Sequence, residues 1–518
     1  MSRILILLMF VFWLAWKPDY HVATPLGPGV SLALFLGGYA LLVLCTGLWS
    51  RQFRGGITRP SLHRRLSRFN RVMAAARVFI PLWFLAGMFA LGWPEAIDRL
   101  LRLSGTDLSQ TLIGVVLGTL PAFAAWAGLW WAQYPAEIAF REQALESHLD
   151  ADLPVHKSPG FRAYFLTNLR LQLLFMVVPV LLIATLHDFF RFAATLSLGS
   201  HGALSDPENP LTWLVAAVLV FAFAPEILRR VLHTEPLPSS PLRRRLESLC
   251  RRTGVRYRDI LLWRTQNNVG NAAVMGFVPR LRYILLSDLL LETMSDEEIE
   301  AVFAHELGHV VHRHMMWLVV FFTVLTLFLV GASAWISQWL DRLGIAGGPV
   351  EGIVLAAVYL LKFLLLFGFV SRRFERQADV FAARTMELTR AGIPNSSASE
   401  ILLAARQLAL VTDGPGGPST SSLALHFRPP HDASHVGRYG AHVFGAALQR
   451  VAIVNNIPVK ARSWCHGSIA TRMQYLRNLS HDPARTTRFD RLMLLLYGSL
   501  VFALFAAAAF CWAANALP

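Results

Sequence analysis

His305, Glu306 and His309 stand in the stretch AHELGHVVHRH, residues 304–314. Two histidines four residues apart project from the same side of a helix, so their imidazoles can share one Zn²⁺. Glu306 lies beside them and can act as a general base toward water that attacks a carbonyl group. The alternative is a solvated helix end with incidental histidines, and the five-residue pattern HELGH (305–309) alone does not exclude it.

A third ligand is needed for a zinc site, and a carboxylate further along the chain can supply it. In the stretch SRRFERQAD, residues 371–379, Glu375 and Asp379 are four residues apart on a predicted helix. Glu375 can complete a His₂Glu site, and Asp379 can accept a hydrogen bond from a ligating imidazole. The competing interpretation is a solvated helix face whose acids pair with the arginines of the same stretch.

The element that positions the two histidines begins at a recognisable signal. Ser295 and Glu298 form a capping-box pattern at the start of a helix. Apolar residues then recur at helical spacing through residue 311, which predicts an amphipathic helix carrying His305 and His309 on one side. His312 and His314 follow this pair and are predicted to be polar residues at a membrane boundary.

The composition is that of a membrane protein. Of 518 residues, 54% are hydrophobic and 16% are charged, with a mean hydropathy of +0.45; a soluble protein has about 25% charged residues. The net charge is +15, and because the arginines cluster beside apolar runs, we predict contact with anionic lipid rather than nucleic acid. The four cysteines form no CxxC pair, which excludes a cysteine zinc site and a disulfide framework.

Apolar runs long enough to cross a bilayer give a count of eight or nine spans. Residues 4–16 are a shorter apolar segment, which we predict to be a retained first span. Arginine-rich segments at 51–71 and after 229 place the N-terminus and the histidine motif on the cytoplasmic side. The eight long runs lie at 29–49, 75–93, 111–132, 168–186, 211–229, 316–337, 350–370 and 491–513.

Two polar regions separate the spans. In the first, residues 271–278 and 281–288 resemble the strands of a short hairpin. Its edge can pair with an extended peptide, or it is an ordinary hairpin with an asparagine in a turn. The second region contains a Gly/Pro/Ser-rich loop at 413–422, predicted to be mobile.

Four motifs together resemble a known family. NAAVMG, SDEEIEAVFAHELGHVVHRH, SRRFERQADVFAAR and HGSIATRMQYL occur in this order between residues 271 and 476. They are similar to the integral-membrane zinc endopeptidases that include the CAAX prenyl protease (type 1) and the heat-shock protease HtpX. The resemblance covers roughly residues 255–480; the first 230 residues share only a multi-spanning character.

The resemblance implies roles for individual residues. It implies one Zn²⁺ per chain on His305, His309 and Glu375, with Glu306 as the base and Asp379 holding a ligand. It also implies that Asn271 and Ala272 bind the substrate backbone, that His466 stabilises the oxyanion or contacts substrate, and that Arg472 braces the carboxylates. Cys465 and Gly467 replace the threonine and proline of the family segment, so the backbone there is expected to differ.

The predicted fold is mostly α, with polytopic membrane helices and a zincin-like cytoplasmic catalytic domain that contains a small β-hairpin. The predicted function is a membrane zinc endopeptidase, of the gluzincin type, acting on membrane-associated, lipidated or misfolded proteins in a bacterial inner membrane. A catalytically idle zinc-binding scaffold is the alternative, although it has no need of Glu306. A metal transporter is disfavoured because the cluster lies at a membrane boundary. The predicted regions are 1–232 (membrane), 233–315 (catalytic), 316–370 (membrane hairpin), 371–490 (catalytic) and 491–518 (membrane helix).

Overall fold

The computed structural model describes Met9 and residues 27–53, 59–103, 112–149, 158–198, 210–344, 349–391, 435–455, 457–461 and 463–516. The predicted first span at 4–16, apart from Met9, and the predicted loop at 413–422 lie outside these residues. The fold is mostly α-helical with one small mixed sheet, which confirms the predicted fold class.

Among the described residues from Pro28 onward, seven α-helices precede the sheet, and most of them are long and apolar. Internal prolines occur in several of them, as membrane helices tolerate more readily than soluble ones. A short π-helix, Leu169–Leu174, joins the fifth and sixth helices. The seven are α1 (Pro28–Ser50), α2 (Arg59–Phe89), α3 (Trp93–Leu103), α4 (Leu112–Leu149), α5 (Phe161–Asn168), α6 (Phe175–Leu198) and α7 (Pro210–Val231).

The sheet has four strands in the order β1-β2-β4-β3. Strands β2 and β4 are parallel, and the other two pairs are antiparallel. The predicted hairpin is present as β3 and β4, and β3 is an edge strand. The strands are β1 (Thr234–Pro236), β2 (Asp259–Trp263), β3 (Ala272–Met275) and β4 (Tyr283–Ser287), and helix α8 (Pro241–Arg252) follows β1.

The remaining helices carry the motifs. A short helix, α9 (Asp288–Thr293), follows β4, and the predicted capping box then opens α10 (Asp296–Val311). Arg313 has φ 53, a left-handed conformation, and separates α10 from the next helix. The later helices are α11 (His314–Arg342), α12 (Pro349–Ala391), α13 (Arg438–Val454), α14 (Ile469–His481) and α15 (Pro483–Ala516).

Six stretches of helix among the described residues are long and apolar enough to cross a membrane. They coincide with six of the eight long runs predicted from sequence. The other two runs, 211–229 and 350–370, coincide with α7 and α12 but are not among the six; the count of eight or nine spans stays a prediction. The six are Gly29–Phe53, Arg64–Phe89, Ile113–Gln143, Phe161–Ser197, His314–Arg342 and Pro483–Phe510.

One apolar core joins the sheet and α10 to the membrane helices. It includes Ile284 of β4, Phe303 of α10 and Phe444 of α13, and it extends to Leu325 of α11 and Leu500 of α15. A separate core holds α1–α5 together. The helices that carry the histidine motif are therefore packed directly against helices of the membrane region.

Candidate metal centre

Helices α10 and α12 lie side by side and bring the two predicted motifs together. Gly308 of α10 makes this close approach possible, because a Cβ there would lie 3.0 Å from Cα of Ala378 in α12. His305, His309 and Glu375 each direct one donor atom to a common point, and these atoms lie within 4.8 Å of one another. Residues separated by about one-eighth of the chain thus form one cluster.

The spacing of the donor atoms suits a metal ion. Nε2 of His305 lies 3.3 Å from Nε2 of His309 and 3.6 Å from Oε2 of Glu375. Nε2 of His309 lies 3.8 Å from Oε1 of Glu375. A tetrahedral ion with bonds of about 2.0–2.1 Å places its ligand atoms about 3.3–3.5 Å apart. The three side chains therefore fit a divalent ion of that kind.

Asp379 and Arg472 form an ion pair next to this cluster. Asp379 is fully buried, and Arg472 donates to its two oxygens over 2.8 Å (Nε to Oδ2) and 2.5 Å (Nη2 to Oδ1). Oδ1 of Asp379 also lies 3.0 Å from Nδ1 of His305, although off the axis of the ring N–H. The structure thus places both predicted supporting residues beside the ligand cluster.

The pKa shifts of His309 and Glu375 favour the forms of these side chains that bind metal. Burial, and to a smaller extent the neighbouring His305, lower the pKa of His309 to about 4, so the ring is neutral near pH 7. Burial opposes ionisation of Glu375, but the hydrogen bond from His466 and the nearby His305 and Arg472 together outweigh it and lower the pKa of this carboxyl below its usual range. Neutral imidazole and ionised carboxylate are the ligand forms that bind metal.

Glu306 occupies the position expected of a base. Burial raises its pKa to about 7, while part of its side chain stays accessible. The backbone N–H of Val274 in β3 donates to its carboxylate. The edge strand therefore borders the carboxylate that follows His305 in sequence.

Strand β3 has no strand partner on its outer edge among the described residues. The N–H of Ser287 in β4 donates to the backbone oxygen of Asn271 over 3.0 Å, so the alternation of an antiparallel pair directs the backbone groups of Ala272 and Val274 away from β4. Asn271 is exposed and Ala272 is buried. The side-chain amide of Asn455 bonds the backbone of Gly270, over 2.7 and 3.0 Å, and anchors the start of this edge on α13.

His466 lies at the mouth of the cluster. Its Nδ1 is 2.8 Å from Oε1 of Glu375, and more than half of its side chain is exposed. Gly467 has φ +77, which proline cannot adopt, so the departure from the family segment is a local change of backbone. Trp464 anchors this segment by donating to the backbone oxygen of Leu364 in α12 over 3.0 Å.

Two residues at the centre escaped sequence reasoning. Nδ1 of His314 lies 2.8 Å from Nδ1 of His309, so His314 contacts a ligand of the cluster rather than serving only as a boundary residue. Trp464 was not singled out. No local signal marks either one, because a histidine at the first residue of a membrane helix and a tryptophan in a loop are both common.

Comparisons with known proteins agree with this arrangement. The sequence model of peptidase family M48 matches residues 236–477. The protease HtpX of Legionella pneumophila is 30% identical over 197 residues, which are 35% of this chain and 68% of that protein. The chain belongs to peptidase family M48. All the ligand-cluster residues lie inside the matched M48 segment.

Other M48 relatives share a smaller part of their length. The HtpX homolog of Aeropyrum pernix is 29% identical over 32% of this chain and 54% of its own length. The CAAX prenyl protease 1 homolog of Arabidopsis thaliana is 28% identical over 29% of this chain and 38% of its own length. The chain thus spans about half of the length of the first relative and less than half of the length of the second. Ste24p of S. mikatae, a solved structure, gives a TM-score of 0.45 at 16% identity over 87% of this chain and 99% of that one.

The M48 relatives and the apolar helices together identify an integral membrane protein. The family supports a protease, and it implies a metal at a cluster such as that of His305, His309 and Glu375.

Proposed function

We propose that the chain is a membrane-embedded, zinc-dependent endopeptidase. The observation that carries this proposal is the convergence of His305, His309 and Glu375 on one point, with the adjacent Glu306 hydrogen-bonded to edge strand β3. One zinc ion would be held by the three ligands, with Asp379 and Arg472 behind them. When bound, zinc supplies a Lewis acid that polarises a carbonyl group and lowers the pKa of water.

The residues of the chain then perform the remaining tasks. A substrate segment pairs in extended form with the outer edge of β3, where the N–H and C=O of Ala272 and the C=O of Val274 point away from β4. Glu306 takes one proton from the attacking water and delivers it to the amide nitrogen as the C–N bond breaks. His466, exposed beside Glu375, contacts the substrate or the developing oxyanion.

The substrates we propose are membrane-associated, lipidated or misfolded proteins. The support is the membrane setting of the site and the names of the relatives, which include a CAAX prenyl protease 1 homolog and HtpX. We also propose a bacterial inner membrane with the site on the cytoplasmic face, as the arginine-rich segments indicate. Arg313→Cys in spheroplasts should resist a membrane-impermeant maleimide and react in inverted vesicles; the reverse pattern would contradict this orientation.

The test of the proposed activity is Glu306→Gln in purified protein. Bound zinc, measured by metal analysis, should stay near one per chain, while cleavage of an unfolded membrane protein should fall by at least about 100-fold. His305→Ala should instead lose the zinc. Equal cleavage by wild type and Glu306→Gln would leave the idle scaffold as the better explanation.

A further inference from the structure

A line of polar side chains runs from the cluster into the membrane region. Nδ1 of His309 is 2.8 Å from Nδ1 of His314, and Nε2 of His314 is 2.9 Å from Oε1 of Gln377. The hydroxyl of Tyr497 donates to the same oxygen of Gln377 over 2.5 Å. The proposed peptidase mechanism uses none of His314, Gln377 and Tyr497.

Three different helices hold this line in place. His314 is the first residue of α11, Gln377 lies on α12, and Tyr497 lies on α15. His314 and Gln377 are only 2% and 8% exposed. The His314 ring stacks on Phe374 with centroids 4.5 Å apart and planes within 4°, and the left-handed Arg313 just before it separates α11 from α10.

Hydrogen-bonding capacity fixes where the protons lie. The oxygen of Gln377 can only accept, so Tyr497 and Nε2 of His314 must both donate to it. A neutral His314 that carries its proton on Nε2 has a lone pair on Nδ1. Nδ1 of His309 must then be the donor of the 2.8 Å contact. That assignment leaves Nε2 of His309 without a proton and directed at Nε2 of His305 and Glu375.

We propose that His314, Gln377 and Tyr497 form a relay that holds His309 in its metal-binding tautomer and orientation. They are positioning residues, and the inference rests on the zinc binding of the proposed function. The two histidine ligands are then held in different ways. A buried carboxylate, Asp379, stands behind His305, whereas an uncharged relay that ends on α15 stands behind His309.

The first test is zinc affinity, measured by competition with a chromophoric chelator in detergent. His314→Phe keeps an aromatic ring that can stack on Phe374 but removes the acceptor, and we expect a 10- to 100-fold loss of affinity. His314→Asn supplies an acceptor and a donor and should recover affinity to within about threefold of wild type. Tyr497→Phe removes one hydrogen bond and should cost about two- to tenfold.

The matched control is His312→Phe. His312 is a neighbouring histidine whose ring packs on His314 and Phe381, with no contact to a ligand residue; this variant should bind zinc as wild type does. The thermal midpoint of each metal-free variant separates a folding defect from a loss of affinity. In metal-free protein labelled with ¹⁵N-histidine, the proton of His314 should reside on Nε2.

The outcomes are distinct. If wild type binds no zinc, the proposed function itself fails. If wild type binds zinc and a folded His314→Phe binds it equally tightly, the relay is wrong while the proposed function stands. The relay is also wrong if the proton of His314 resides on Nδ1. It is wrong as well if the loss of zinc affinity only follows a fall in the thermal midpoint of the metal-free protein and His314→Asn does not reverse that loss.

Discussion

Asp379 and Arg472 form a buried ion pair behind the ligand cluster. Asp379 is 0% exposed, and Arg472 approaches both of its oxygens. Burial disfavours the charge of Asp379, but Arg472 and His305 outweigh it and hold the pKa of this carboxyl below its usual range. Removing one member would leave the other charge buried without its partner.

We therefore expect Asp379→Asn to lower the free energy of unfolding by about 3–5 kcal/mol. The measurement is thermal unfolding in detergent with a chelator present, so that metal binding does not contribute. The control is Asp490→Asn, which breaks an ion pair with Arg384 whose acid is 43% exposed and should cost no more than about 1 kcal/mol. Similar losses in the two variants would contradict the importance of burial.

The juxtaposition of His305 and His309 was predictable because a spacing of four residues is a property of one helix. His305 and His309 must share a side of α10 in any structure that keeps it helical. The contact of His314 with His309 was not predictable in the same way. It depends on the left-handed Arg313 at the junction of α10 and α11, and on Gln377 and Tyr497, which arrive from 63 and 183 residues further along the chain.

At the scale of elements, helix α13 is held against α12 by a close contact at Gly440. A Cβ there would lie 1.9 Å from the backbone oxygen of Ala383. The N–H of Gly440 donates to Glu387 over 2.7 Å, and Phe444, one turn further along α13, stacks on His305 with centroids 5.6 Å apart. Displacing α13 at Gly440 would therefore disturb the packing of a ligand residue.

Gly440→Ala should destabilise the protein by about 1–3 kcal/mol or more, because the added methyl group meets backbone rather than a flexible side chain. Gly445→Ala, on the same helix, is the control. Nothing lies within 4 Å of a Cβ there, so alanine should add up to about 1 kcal/mol through its higher helix propensity. Thermal midpoints of the two variants in detergent should move in opposite directions; a common direction would refute the packing argument.

The elements themselves were largely visible in the sequence. The Ser295–Glu298 capping box is present at the start of α10, and the predicted hairpin is β3 and β4. The parallel pairing of β2 with β4 was not foreseen, because a strand pairing between separate segments leaves no periodic signal in either one. The position of β3 at the edge of the sheet follows from that pairing.

At the scale of the molecule, hydropathy located the membrane helices, since a run of about 20 apolar residues is a local property. It could not show that the apolar core of the sheet continues into α11 and α15, which requires knowing which helices are neighbours. The family match ends at residue 477, so α15 and the contact of Tyr497 with Gln377 lie beyond it. The predicted boundaries of the five regions stay predictions.

Helix α12 runs without a break for 43 residues, from Pro349 to Ala391. At about 1.5 Å per residue it is about 65 Å long, roughly twice the thickness of a bilayer core. The predicted span at 350–370 and Glu375 therefore lie on one continuous helix. Glu375 lies about 15 residues, or roughly 22 Å, from the middle of that span.

If α10 keeps its place, a change in the tilt of α12 would displace Glu375 relative to the two histidines. A change of about 5° in tilt, of the kind that hydrophobic mismatch produces, would carry Glu375 by roughly 2 Å relative to a fixed α10. Metal–ligand distances tolerate only about 0.2 Å. We expect the zinc affinity of the wild-type protein in nanodiscs to change at least about threefold between lipids with 14-carbon and 22-carbon chains. The zinc affinity of His312→Phe should depend on chain length in the same way as that of wild type. A zinc affinity that does not depend on lipid chain length would show that α10 and α12 tilt together as one rigid unit, which keeps the distances between Glu375 and the two histidines constant.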